Sequence, residues 1–521
     1  MNNQDSLFAL IKSLSAKEAE LFRQHSFPPN KRTKKAVQWQ MFKLVHAMNS
    51  YQPEVLQRLF KVKDEFKRQR LIGVNRFELK RKLLLFLGTL ADEPILQRHN
   101  QIQALNTLYK KGLYNECYKQ ANLFKAEQTA AGQFSYASIA NFYALMSAEL
   151  SGETNSTDLI LQLAQEQVKL SEDAYTNAYI YRIYTRLYVI QLGGVLVTDK
   201  KSRLEIQQLI TDPALAADHD KLSFNTRRYF FMAKAIAARL TGNVKDAVYY
   251  TEQEFFNAVN TQGKILPTDE IQSIADVIHS HILANNTAKI KEWLKLFYSK
   301  LNEYRLNKEN YMFLILHFES ALSALVYRTA TAASALTVAK NNLYQKLTET
   351  EQYYLKNSTK INTGIRKILE TDLAMGYYEY GDLKKSLRYF NAFLDQDINA
   401  DMGNRIKDIY YLFSMLVKYD LVCNNDTKYT IVSFAKECTK VRKKLLAKAT
   451  DFDISIEMAF LDTFNTIAKH FHDKKKVSDT FKKLLTVLKN YETDSLSYLN
   501  QLNNTFNLTA WVKNNAERYK H

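Results

Sequence analysis

Among 521 residues the chain holds only 13 glycines and 6 prolines. Average usage would supply roughly three to four times as many. The last proline is Pro267, so about half the chain runs on without one. Strands joined by tight turns need frequent Gly, Asn-Gly or Pro, whereas long helices joined by short polar loops do not. The shortage of both breakers predicts an all-α fold.

Length then bears on organisation. A chain of 521 residues exceeds what one core supports, so several domains or a repeat array are expected. A hydrophobic content of 46% excludes wholesale disorder. The three cysteines, Cys117, Cys423 and Cys438, lack CxxC spacing, which argues against a disulfide framework or a structural zinc site and for a reducing compartment. The opening MNNQDSLFALIKSLSAKEAELF has no basic n-region followed by an uninterrupted apolar run, as a signal peptide would. No apolar run approaches the roughly 18 residues of a membrane span. A cytoplasmic protein without a membrane partner is the expectation.

The net charge of +18 is unevenly spread, with 19 Lys/Arg against 9 Asp/Glu in residues 1–100. This segment, 1–94, is read as a basic helical module. Leu7, Ile11 and Leu14 share a helical face, and Ser15 with Glu18 has the spacing of a capping box. A helix is expected from about Thr33 to Met48, another from Pro53, and a third from Phe77 to Leu90 after the basic stretch Lys61–Arg70.

Past Pro94 a local pattern recurs. It reads Gly112-Leu-Tyr114 with Cys117, Gly242-Asn-Val244 with Ala247, and Gly381-Asp-Leu383 with Ser386. Each has an apolar helix, a glycine, an apolar residue two positions on and a small residue three further. Glycine ends the first helix in a left-handed conformation, and the small residue lets the second helix lie close. A weaker fourth copy is read at Leu145, Ala148 and Gly152. These segments resemble the centre of a tetratricopeptide repeat. The opening LFALIKSLSAKEAELF is similar to that of uncharacterised bacterial helical-repeat proteins, a likeness that brings no assigned activity. The resemblance implies an α-α hairpin superhelix, a tetratricopeptide-like solenoid, over residues 95–400. The unsigned helical pattern of 401–521 is read as C-terminal hairpins capping it.

Few residues carry chemistry by spacing alone. Asp395, Asp397, Asn399 and Asp401 open like a calcium loop, but Ala400 and Ile406 stand where a sharp turn and a closing Glu are needed. His279/His281 and His470/His472 are two apart, and on a helix metal ligands need to be four apart to share a face. No phosphate-binding loop, nucleophile elbow or kinase signature occurs. No enzyme activity and no cofactor are expected.

Two surfaces are candidates for partners. Tyr181, Tyr184 and Tyr188 share a face with Arg182 and Arg186 beside it, and Arg227, Arg228 and Lys234 cluster further on. Guanidiniums pair bidentately with carboxylates or phosphates, and tyrosines give stacking surface. Lys31, Arg32, Lys34, Lys35, Lys61, Lys63, Lys67, Arg68, Arg70, Lys80, Arg81 and Lys82 form the basic N-terminal set. The expected function is a non-enzymatic scaffold binding a protein or peptide on the solenoid's inner surface. The rival is nucleic-acid binding through the basic N-terminal region.

Overall fold

The computed structural model describes residues 6–27, 37–48, 52–60, 62, 64–90, 94–151, 157–192, 200–260, 266–358, 361, 363–395, 400–447, 454–492 and 507–519. Every regular element among them is a helix. The chain divides into two compact units, one of Met1–Ala126 with Tyr136–Gln167 and one of Glu127–Ser135 with Val168–His521.

The N-terminal helices are α1 (Ser6–Lys12), α2 (Ala16–Ser26), α3 (Val37–Ala47), α4 (Pro53–Gln57) and α5 (Glu65–Leu90). The capping box forms: the Glu18 amide donates to Ser15 Oγ at 3.2 Å, and the Ser15 amide to Glu18 Oε2 at 2.7 Å. Phe22 is the centre of this group's own core and packs on Phe27, Phe42 and Phe86. One expectation needs correcting. The basic stretch is not a separate segment before a helix at Phe77; α5 is continuous from Glu65. Gly73 lies within it in open surroundings, where its cost of about 1 kcal/mol is too small to break a helix of this length.

Next come α6 (Pro94–Lys110), α7 (Tyr114–Ala130), α8 (Phe134–Leu150) and α9 (Thr157–Leu192). In the first unit, Cys117 and Ala121 of α7 are fully buried with Ala140, Ala144 and Ala148 of α8. Small side chains one turn apart allow close approach of the two helices.

The second unit continues with α10 (Lys200–Ile210), α11 (Phe224–Leu240), α12 (Val244–Val259), α13 (Pro267–Leu283), α14 (Thr287–Glu303) and α15 (Met312–Thr329). There follow α16 (Ala333–Asn357), α17 (Thr363–Tyr380), α18 (Leu383–Leu394), α19 (Ala400–Cys423), α20 (Ile431–Leu446), α21 (Ser455–Lys469), α22 (Lys474–Glu492) and α23 (Leu508–Arg518). From α11 to α22 each helix packs on the next; α13 also packs on α15, and α15 on α17. One apolar core runs from Ala324 to Ala516, joining residues on both sides of position 400. Trp511 of α23 sits there among Tyr419, Phe464 and Phe481, and its indole N–H donates to Asp420 Oδ2 at 3.1 Å.

The hairpin turns share one device. Gly112, Gly242 and Gly381 have φ of 70°, 71° and 96°, the left-handed conformation expected of them. Gly132 joins them at 65°, followed by Phe134 and the fully buried Ala137; this copy of the pattern escaped the sequence reading. Gly152, read there instead, lies outside the described residues. Asn285, Arg305 and Asn425 adopt the same conformation without being glycine. At all of these turns the amide of the left-handed residue donates to the carbonyl three before it, and the next amide donates to the carbonyl five before itself. That double bond is the Schellman closure, which satisfies carbonyls orphaned at a helix end. In three cases the next residue also caps the following helix: Asn243 accepts from Asp246, Asn286 from Lys289 and Asp382 from Lys385. Two residues thus end one helix and start another.

Candidate functional site

The expected tyrosine and arginine cluster is partly dispersed. Tyr181 stays 47% exposed, with its ring edge-on to Tyr229 of α11 at 4.7 Å. Tyr184 packs on Tyr188 and Tyr229, and burial pushes its hydroxyl pKa up to about 12. Arg182 lies over the Tyr179 ring at 4.7 Å, and Arg186 Nε donates to Glu205 at 2.8 Å; both are exposed. Arg227 donates to the carbonyls of His219, Asp220 and Leu222, clasping the loop before α11. Arg228 is engaged by Glu254 at 2.8 Å and Asp269 at 3.1 Å. Lys234 rests on Phe230 and Tyr250, and burial lowers its pKa against the pull of Asp246. The expectation set Arg227, Arg228 and Lys234 as a second, similar cluster beside the tyrosine and arginine stripe. Geometry leaves Tyr181, Arg182 and Arg186 facing outward and turns Arg227 and Arg228 into internal braces.

The basic set separates likewise. Lys67, Arg70 and Arg81 are exposed on α5, with Lys67 near Asp64 and Arg81 paired to Glu78. Lys80 is half-buried, and Arg68 pairs with Glu65. Lys82 turns inward, donating to Gln38 at 2.7 Å and lying over Phe27. Lys31, Arg32, Lys34, Lys35, Lys61 and Lys63 lie outside the described residues, as does the middle of the calcium-like loop. Among the described residues no group of three His, Cys, Asp or Glu could hold a metal ion.

A different site emerges on the alternate helices of the second unit. Tyr181 and Tyr184 of α9 meet Tyr229 of α11. Arg239 of α11 donates to Ser280 Oγ of α13 at 3.1 Å, and the Arg228–Asp269 pair joins the same two helices. The rings of His279 on α13 and His317 on α15 stack at 6.0 Å. His317 Nδ1 lies 2.8 Å from Asp372 Oδ2 of α17, and Arg328 of α15 pairs with Glu379 of α17 at 2.8 Å. Tyr378 of α17 then donates to Asp420 of α19 at 2.7 Å. Polar and aromatic groups thereby run as one seam from α9 to α19.

Within the seam, α13, α15, α17 and α19 surround a cavity of about 390 Å³. Its walls include Leu325, Leu347, Met375, Ile409 and Phe413, while His279, His317, Lys367 and Asp372 supply polar groups. Gly376 makes the close wall possible. A Cβ there would come within 2.3 Å of Leu347 Cδ2.

The two histidines are shifted in opposite directions. Burial, helped by Arg239 and His317, lowers the His279 pKa to about 3, so its ring is neutral. Burial also opposes charge on His317, but the Asp372 carboxylate and its hydrogen bond outweigh this and raise that pKa. A histidine held by a carboxylate is the base half of a catalytic triad. Two hydroxyls that line the same cavity have partners elsewhere: Ser320 Oγ contacts Thr350 Oγ1 at 3.0 Å, and Thr371 Oγ1 bonds the Lys367 carbonyl and Tyr410.

Of the cavity's polar groups His279, His317, Lys367 and Asp372, only His279 stood in a pattern visible along the chain. His317 and Asp372 are 55 residues apart, and no local spacing marks them as partners. Comparison with family models, with curated proteins and with solved structures finds no match.

Proposed function

We propose that this chain is a non-enzymatic scaffold of tetratricopeptide-like hairpins, cytoplasmic, that binds a segment of a protein partner along the seam. The observation that carries this reading is the run of paired polar groups on successive alternate helices, α11, α13, α15 and α17. Helices that only needed to pack could meet through apolar side chains, without the desolvation cost of half-buried charges. Repeat proteins use a continuous face of this kind to grip extended segments. The basic balance of +18 favours a segment of acidic character. The recurring Schellman turns support the tetratricopeptide-like architecture, and three unpaired thiols agree with a reducing compartment.

The test is selection of a displayed random-peptide library on the purified protein. Peptides rich in Asp and Glu should be enriched, and should lose affinity for the double variant Tyr181→Ala, Arg182→Glu while its helicity and melting are unchanged. Arg186 is left intact because a glutamate there would face Glu205. Failure to enrich any peptide over the bare matrix rejects the reading.

A second reading rests on α5. Phe66 and Phe77 are 79% and 67% exposed and share a helical stripe with Arg70 and Arg81, a combination suited to single-stranded nucleic acid. In mobility-shift titrations the intact protein would then bind RNA or DNA with affinity falling steeply with salt, and a form lacking residues 1–95 would not.

A further inference from the structure

We propose that the cavity between α13, α15 and α17 is a binding site for a small amphipathic monocarboxylate, its apolar body against Leu325, Leu347, Met375 and Phe413 and its carboxylate at Lys367. Size comes first. A volume of about 390 Å³ falls in the roughly 300–1,000 Å³ range of small-molecule sites. At the ~30 Å³ that a water occupies, it has room for about a dozen non-hydrogen atoms. The wall surface is mostly hydrocarbon, interrupted by polar side chains of α13, α15 and α17.

The charges select the head group. His317 is hydrogen-bonded to Asp372 and Arg328 is paired with Glu379, so these groups are already partnered. Lys367 also lines the cavity, and among the described residues its ammonium has no ion pair and no side-chain hydrogen bond. Burial and the nearby charge of Lys407 press it toward neutrality, against the weaker pull of Glu370. An anion at Lys367 would reverse both effects. A lysine ammonium without an ion pair calls for an anionic group, which a carboxylate supplies. A ligand cation would be repelled.

Decanoate, with twelve non-hydrogen atoms, is the probe, and 1-decanol and decyltrimethylammonium are its controls. Calorimetric titration of the full chain should show one saturable decanoate site, at least tenfold tighter than decanol, and no saturable site for the ammonium. Lys367→Met should weaken decanoate by at least tenfold, abolish its advantage over decanol and leave the circular dichroism unchanged. Ala321→Phe, which fills the cavity from α15, should remove both ligands. The proposal is overturned by absence of saturable decanoate binding, by equal affinity for decanol, by saturable ammonium binding, or by indifference of decanoate to either substitution. It stands apart from the seam's protein partner, since a peptide-selection failure leaves the decanoate titration unaffected.

Discussion

Gly381→Ala tests whether the hairpin turns depend on backbone geometry. The residue has φ of 96°, and a Cβ there would meet nothing within 4 Å. Steric clash with neighbours therefore contributes nothing, and the cost is conformational alone. Holding an L-residue in the left-handed region costs roughly 1–2 kcal/mol, and a φ so far from the ~57° optimum belongs at the upper end. Restricting the unfolded chain returns about 0.4–1 kcal/mol. The net loss is about 1 kcal/mol. Gly112 at 70° sits nearer the optimum, so Gly112→Ala should cost less. The reverse substitution carries the opposite sign. Arg305 is exposed at φ 51° with no side-chain bond among the described residues, so Arg305→Gly relieves strain without losing a contact. A gain of roughly 0.5 kcal/mol is expected, as strain relief exceeds the added unfolded-state entropy.

A chain of this size opens in parts, so global unfolding would blur these effects. Native-state hydrogen exchange reads them locally. The amide of Asp382, bonded to the Tyr377 carbonyl, should exchange about fivefold faster in Gly381→Ala, the factor for 1 kcal/mol. The amide of Leu306, bonded to the Leu301 carbonyl, should slow in Arg305→Gly. Unchanged exchange at Asp382, or faster exchange at Leu306, would show that the turns are held by something other than the left-handed residue.

Other outcomes follow from packing and charge. Gly376→Ala should destabilise α16–α17 by about 1–3 kcal/mol, because the buried Leu347 side chain must leave its packed position to clear the added methyl, and denaturant titration with exchange at α17 amides measures it. For the histidines the pH effects oppose each other. His317, with its pKa raised by Asp372, adds stability below its unfolded value near 6.5 that is lost as pH rises through the higher folded pKa. His279, lowered to about 3, favours the fold above 6.5 and withdraws that support as pH falls below it. Asp372→Asn should remove the first effect alone, so melting scans between pH 7.5 and about 5 should show a steeper acid loss than in the parent. The thiols of Cys117 and Cys438 are fully buried and all three thiol pKa values are raised, chiefly by burial, so a disulfide reagent at neutral pH should react slowly until the protein unfolds.

How much was legible in the chain differs between backbone and site. Helix class followed from the scarcity of Gly and Pro, and three turns followed from glycines whose lack of a Cβ suits the left-handed region. Capping at Ser15 followed from a three-residue spacing, since a side chain and an amide that close along a helix must meet. The turns at Asn285, Arg305 and Asn425 escaped because a left-handed residue need not be glycine when helices packed on both sides hold it there. The solid run of α5 escaped because one exposed Gly73 cannot outweigh the turns around it.

Side-chain roles were less accessible. Arg182 and Arg228 read alike along the sequence, yet one lies exposed over Tyr179 and the other is clamped by two carboxylates from α12 and α13. The cavity was not legible at all, because His279, His317, Lys367 and Asp372 come from three helices and meet only through packing. Helix class, caps and glycine turns depend on neighbours within about five residues, and such information is written along the chain. Which charges are paired, which histidine is neutral and where a cavity opens depend on distances across helices, and the tertiary structure alone sets those.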